Sequence, residues 1–246
     1  MAHRDTNEMV GQLRRQSLWL KDSWQYVLKT KVLVKKMTKR LTALEVGCGP
    51  GFVMDITKKL VDVKGLDFDP DMVSMSKARG LDVVQGRAED LPFSDREFDI
   101  AYCSFLLLLV KDPVVVVKEM SRVSRRWVLA LAEPDYGAWI DHPEGLDGLR
   151  EVLIEGMKAT GADPFLGRKL REVFEQAGLR AEIGAHAGVW DLKRLKEEFD
   201  DQRRLIRSLS GGHPKLDAIE AAWKDALEKG TLFHYNPIFY AVGKKI

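Results

Sequence analysis

The chain has 246 residues, 45% hydrophobic and 31% charged, an ordinary soluble composition with room for one large α/β domain or two small ones. A formal charge of +2 and a pI near 8.4 make it weakly basic, whereas binding dominated by nucleic-acid phosphates calls for far more positive charge. The longest apolar run, Phe105 to Val110, is too short to cross a bilayer, the N-terminus has no apolar leader core, and Cys48 and Cys103 fall in segments that read as core strand ends, so a cytoplasmic location with free thiols is expected.

Residues 1–40 read as an N-terminal helical cap, because Leu13, Leu20, Trp24, Leu28 and their neighbours recur at helical spacing. Trp19, Trp24 and Tyr26 are expected to pack this cap on the core. The six basic residues from Lys29 to Arg40 read as a solvated face, with an acidic surface or RNA contact as the alternative. After Arg40 short β-type runs alternate with helical stretches. Ala43–Val46, Val63–Leu66, Leu81–Val84, Phe98–Cys103 and Trp127–Ala132 are apolar on both faces, as strands buried under helices must be. Between them, Phe52, Val53, Ile56 and Leu60 make one helical stripe, and Asp69–Ala78 opens with acids and Pro70. Val114–Val117 favours strand by propensity, yet two parallel strands need a crossover there, so 113–123 is assigned to helix.

Beyond Glu133, residues 134–143 read as a loop rich in aromatics. Helices are expected near 145–160 and 167–177, a strand over 179–186, two polar helices broken at Gly211-Gly212, and a last strand over 237–242. The expected organisation is a single unit, with residues 41–246 carrying helical insertions at about 141–165 and 190–229. The alternation predicts an α/β fold whose mostly parallel sheet of seven strands has helices on both faces.

The stretch LEVGCGPGF places Gly47, Gly49 and Gly51 directly after a predicted strand and before a predicted helix. Such a turn leaves helix N–H groups facing outward and lets a polar ligand touch backbone. Asp67 ends the next strand twenty residues after Gly47, where a carboxylate can accept hydrogen bonds from a ribose diol. The competing reading is a turn closed by glycines and a helix capped by Asp67. Glu45 and the G-x-G-x-G spacing differ from the G-x-G-x-x-G of dinucleotide enzymes, which disfavours a nicotinamide dehydrogenase.

With these residues the sequence resembles the class I S-adenosylmethionine-dependent methyltransferases, in the small-molecule group that includes quinone-biosynthesis enzymes, from about Ala43 to Glu133. The resemblance implies a Rossmann-like doubly wound sheet with helical lid additions and S-adenosyl-L-methionine as cofactor. It implies that Glu45, Gly47, Cys48, Gly49 and Gly51 form the cofactor loop, that Asp67 binds the ribose and that Phe68 flanks the adenine. The stretch QGRAEDLPF is similar to the family's adenine-edge loop, so Ala88 would offer its N–H there, with Glu89 beside it. Ser104 would face the cofactor from the end of the fourth strand. Arg87 stands where many members have Asp or Asn. Leu107 and Leu108 replace histidines, which hints at an apolar acceptor, and Ser124-Arg125-Arg126 replaces a Pro-Gly-Gly turn.

Methyl transfer from a sulfonium is an in-line displacement that chiefly needs alignment and exclusion of water, so no fixed triad is expected. Candidate groups facing the sulfonium are Tyr102, Ser104, Phe105, Glu133, Asp135, Tyr136, Trp139 and His142. His142 and Tyr136 are the catalytic candidates, His142 as the base, against the plainer reading of His142 as a surface loop histidine. His186 and His213 are expected to be structural or exposed. Phe105, Trp139, Phe165, Trp190, Phe233 and Tyr235 are candidates for the acceptor pocket or for core. No metal-ligand spacing is present, so no metal site is expected. The function expected is methylation of a small, partly apolar molecule. Methylation of RNA or protein, or a non-catalytic cofactor-binding module, are the alternatives, and oligomeric state is left open.

Overall fold

The computed structural model describes residues 6–34, 39–186, 188–210 and 213–245. The Gly211-Gly212 break and part of the basic stretch lie outside the described residues. Helix α1 (Thr6–Val27) runs into a π-helical turn, Leu28–Val32. The sheet then begins in strict alternation: β1 (Thr42–Val46), α2 (Phe52–Thr57), β2 (Asp62–Asp67), α3 (Pro70–Ala78), β3 (Val83–Gln85), β4 (Phe98–Cys103), α4 (Pro113–Val123) and β5 (Ser124–Pro134). A short strand β6 (Ile140–His142), helices α5 (Asp147–Ala159) and α6 (Leu166–Gln176), strand β7 (Arg180–His186), helices α7 (Leu192–Ser210) and α8 (Leu216–Lys229), and strands β8 (Phe233–Tyr235) and β9 (Ile238–Lys244) complete it.

Seven strands form one sheet in the order β3-β2-β1-β4-β5-β9-β7. The first five run parallel, and β9 is antiparallel to both β5 and β7. This is the mostly parallel, doubly wound sheet expected from the alternation. Along β1, Leu44 and Val46 enter one apolar core with α4, α5 and α6, while Ala43 enters a second core with α1 and α2. Strands covered on both faces have no polar side, which is why they read as continuous apolar runs. The order reverses between β1 and β4, and in such sheets the crevice at the carboxyl ends of the diverging strands is where ligands bind.

Helix α4 shows why four valines form a helix here. Asp112 caps it, its carboxylate accepting the N–H groups of Val114 at 3.0 Å and Val115 at 3.2 Å, and Pro113 fits the first turn. Val116, Val117, Met120 and Val123 are completely buried on one face, each stabilising by about 1.5–3 kcal/mol, more than the few tenths lost to propensity.

Two local expectations change. Residues 134–143 are not irregular: β6 pairs antiparallel with β8 in a separate two-stranded sheet. Tyr26 is 59% exposed, whereas Trp24 and Leu28 fill the core under α1.

Candidate active site

The glycine loop sits at the strand-order reversal. Gly47, Gly49 and Gly51 have φ of 71°, 52° and 81°, the left-handed region that glycine enters without penalty. Its amides, expected to face a ligand, are instead engaged within the protein. Gly47 and Cys48 donate to the Leu66 carbonyl, Gly51 to Cys48, and Gly49 to Asp67 Oδ2 at 2.7 Å. These bonds fix the loop, and the glycines leave room: a Cβ on Gly49 would lie 3.8 Å from Leu13 of α1, and one on Gly47 would lie 2.8 Å from Leu106. The other Asp67 oxygen accepts from Asp69 N–H at 3.0 Å. Burial raises the Asp67 pKa against those backbone bonds, and each oxygen keeps a further lone pair. Phe68 beside it is 68% exposed. Ala88 is buried, and Glu89 pairs with Arg87 at 3.6 Å. Ser104 Oγ is buried without a partner among the described residues. The lone pairs left on Asp67 and this orphaned hydroxyl fit a cofactor with polar ends.

Two carboxyls beneath the site are structural. Glu45 is buried on β1 and accepts from Tyr102 Oη at 2.7 Å, while Tyr102 also bonds Thr57. Glu133, at the end of β5, accepts from the N–H groups of Leu106, Leu107 and Leu108. Burial pushes both up to about 8, and the hydrogen bonds they accept oppose the rise. Glu133 thereby pins the turn after β4, where Phe105 is held at φ 54°, an uncommon conformation for a side chain of that size.

That turn delivers Phe105 to a cavity of about 150 Å³. Its walls are aromatic: Trp19 from α1, Phe105, Tyr136, Trp139 and Trp190. Trp19 and Trp190 meet edge to face at 4.6 Å, and Trp139 meets His234 likewise at 4.6 Å. Helix α1 covers both parts of the site, since Leu13 lies over Gly49 while Gln12, Gln16 and Trp19 line the cavity. It is fastened to α7 by Arg15, which pairs with Glu198 at 3.3 Å and Asp201 at 2.8 Å, and by Trp19 Nε1 donating to Glu198 at 2.9 Å.

The sequence-derived candidates divide. Phe105, Tyr136, Trp139 and Trp190 line the cavity, whereas Phe165, Phe233 and Tyr235 do not. Tyr102 and Glu133 are buried in the bonds just described, and Asp135 is buried against Arg168 at 2.5 Å. Leu107 and Leu108 are core residues packed with α4 and α6, so they say nothing about acceptor polarity. His142 is exposed and outside the cavity. Its neighbour in the ladder explains why: Asp141 pairs with His234 across β6 and β8, and successive strand residues point to opposite faces. His234, which sequence reasoning missed, lines the cavity, its Nδ1 lying 2.8 Å from Asp141 Oδ1. His186 also lines the cavity, but its Nε2 bonds the Leu131 carbonyl at 2.7 Å and burial lowers its pKa. Among the described residues no group of three or more His, Cys, Asp or Glu is placed to hold a metal ion, and no helix is long and apolar enough to cross a membrane.

A reversed-order parallel sheet, a left-handed glycine loop and a buried acid twenty residues on define a nucleotide-cofactor fold of the methyltransferase type. Residues 44–127 match the Methyltransferase domain family. Demethylmenaquinone methyltransferase of Staphylococcus aureus (strain MRSA252) is 34% identical over 206 residues, which cover 76% of this chain and 80% of that protein. Its counterpart from Bacillus licheniformis is 36% identical over 94 residues, 35% of this chain and 40% of that protein's length. A putative methyltransferase of Bacillus halodurans has the same fold, with a TM-score of 0.58 at 17% identity, covering 89% of this chain and 98% of that one. The chain belongs to the class I S-adenosylmethionine-dependent methyltransferases. Within them it is similar to the quinone-biosynthesis group, and S-adenosylmethionine is its cofactor.

Proposed function

We propose that this enzyme transfers the cofactor's methyl group to a small, ring-shaped, partly apolar acceptor held in the aromatic-walled cavity under α1. The observation that carries this reading is the cavity itself, walled by Trp19, Phe105, Trp139 and Trp190 and roofed by the same helix that covers Gly49. About 150 Å³ matches a cavity that holds one benzene ring. That the S. aureus relative is named for demethylmenaquinone agrees with a ring acceptor.

The bound cofactor supplies a methyl carbon already activated by its sulfonium. The protein's part is to hold the nucleophile in line and to keep water away. The aromatic walls hold a flat ring by its faces. Asp67, which keeps free lone pairs beside the loop, is offered as the acceptor of the ribose hydroxyls, and the glycines as the stretch where the ligand approaches backbone. Phe68, Ala88 and Glu89 are offered as the adenine side, with Ser104 at the other end. The test is calorimetric titration of S-adenosylmethionine and S-adenosylhomocysteine into the wild type and Asp67→Asn, with NADH as control. Micromolar binding that weakens at least tenfold in the variant is the expected result. Tight NADH binding, or cofactor binding with no methyl transfer to any ring, amine, RNA or protein acceptor, would overturn it.

A further inference from the structure

We propose that the acceptor is an aromatic ring bearing both a carboxylate and an ionisable hydroxyl, with Arg194 binding the carboxylate and His234, held by Asp141, removing the hydroxyl proton. This rests on the methyltransferase reading above and specifies its acceptor.

Arg194 is a half-buried cation that lines the cavity without an acidic partner among the described residues. The acids around it are committed elsewhere. Glu198 holds Arg15 and Trp19, Asp191 accepts the backbone N–H of Arg194 at 2.8 Å, and Glu197 faces Lys193. The guanidinium instead lies over Trp190 at 4.6 Å and Trp19 at 5.6 Å, and its pKa is lowered by burial against those nearby carboxylates. A guanidinium resting on an aromatic pair and unpaired with any acid among the described residues has N–H donors to offer a planar, bidentate anion, and a carboxylate meets that need.

His234 also neighbours that indole, its ring 6.1 Å from Trp190. A carboxylate only accepts hydrogen bonds, so the 2.8 Å contact to Asp141 places the hydrogen on Nδ1 and leaves the Nε2 lone pair free. Nε2 hydrogen-bonds nothing among the described residues, and the second Asp141 oxygen is buried without a partner, ready to steady an imidazolium. The arrangement is the base-and-orienting-acid pair of nucleophile activation. Arg194 and His234 therefore line the same cavity and both approach the Trp190 ring. A neutral phenol is a poor nucleophile. Once its proton passes to Nε2, the oxygen pair forms the new C–O bond, the C–S pair remains on sulfur as the neutral thioether, and the imidazolium returns its proton to solvent.

The experiment measures methyl transfer by the full chain to hydroxybenzoates, to the same phenols without the acid and to benzoates without the hydroxyl, for wild type, Arg194→Gln and His234→Gln. Transfer only to the hydroxybenzoates is expected. Arg194→Gln should raise KM about 10- to 100-fold with kcat retained, and His234→Gln should lower kcat about 10²- to 10⁴-fold, while calorimetric S-adenosylmethionine affinity stays the same in all three. Equal transfer to phenols lacking the acid, or cofactor affinity lost in Arg194→Gln, would overturn the proposal and leave the methyltransferase reading standing. Transfer to no acceptor of any class would bring down both.

Discussion

Glu45 and Glu133 carry protons in the fold that they lose on unfolding, because burial lifts them from 4.5 to about 8. The native state then binds more protons than the unfolded chain between those values, so stability is full in mild acid and is lost as pH rises through 8. The slope is at most ~1.4 kcal/mol per pH unit for each group. A thermal melt series should show the wild type losing Tm from pH 5 to pH 8 and Glu45→Gln losing less; a pH-independent Tm would mean that both carboxyls are ionised throughout. Gly51→Ala should cost about 1–3 kcal/mol, since φ is 81° and the new Cβ would meet Leu81 at 2.2 Å, and a urea midpoint unchanged from wild type would refute the strain. The glycines and Asp67 were legible because a strand, a turn and an acid at fixed spacing are local signals. His234 was not: its partner Asp141 is 93 residues away, and no spacing in the chain relates them. His142 lies next to Asp141 in β6, and in a strand neighbours point to opposite faces, which leaves His142 exposed and outside the cavity.

The same contrast holds for whole elements. Strands buried on both faces announced themselves, and α4 was assigned correctly against its own valines because topology demanded a crossover. Strands β6 and β8, three residues each, are too short to show a period, so the two-stranded sheet that carries the Asp141 and His234 pair was invisible. Two expectations belong to helices. Asp112→Ala removes both capping bonds of α4 and should cost ~1 kcal/mol in urea unfolding, with no loss meaning that solvent replaces the cap. Glu198→Ala releases Trp19 and one Arg15 contact from α7, so hydrogen exchange should quicken over residues 9–20 and stay unchanged in α4. Equal exchange in α1 would show that Leu20, Trp24 and Val27 anchor the helix without its seam.

Taken whole, the chain distributes its chemistry unevenly. Residues 44–127 match the shared family pattern, and the chain after β5 builds most of the cavity from α7, β8 and the ends of β7 and β9, with α1 supplying the rest. The cavity proposed for the acceptor thus lies largely outside the segment that matches the family model, in keeping with sites being grafted on a common fold. Treatment with a chelator should leave turnover unchanged, and activity lost and then restored by one added metal would contradict the organic site described above.

Helix α1 roofs the glycine loop and the aromatic cavity together. Loosening the Arg15 and Trp19 fastening to α7 would therefore uncover both at once. A helix unlatching is a motion of microseconds to milliseconds, and where it paces product release a solvent viscogen should slow the steady state and leave the first methyl transfer untouched.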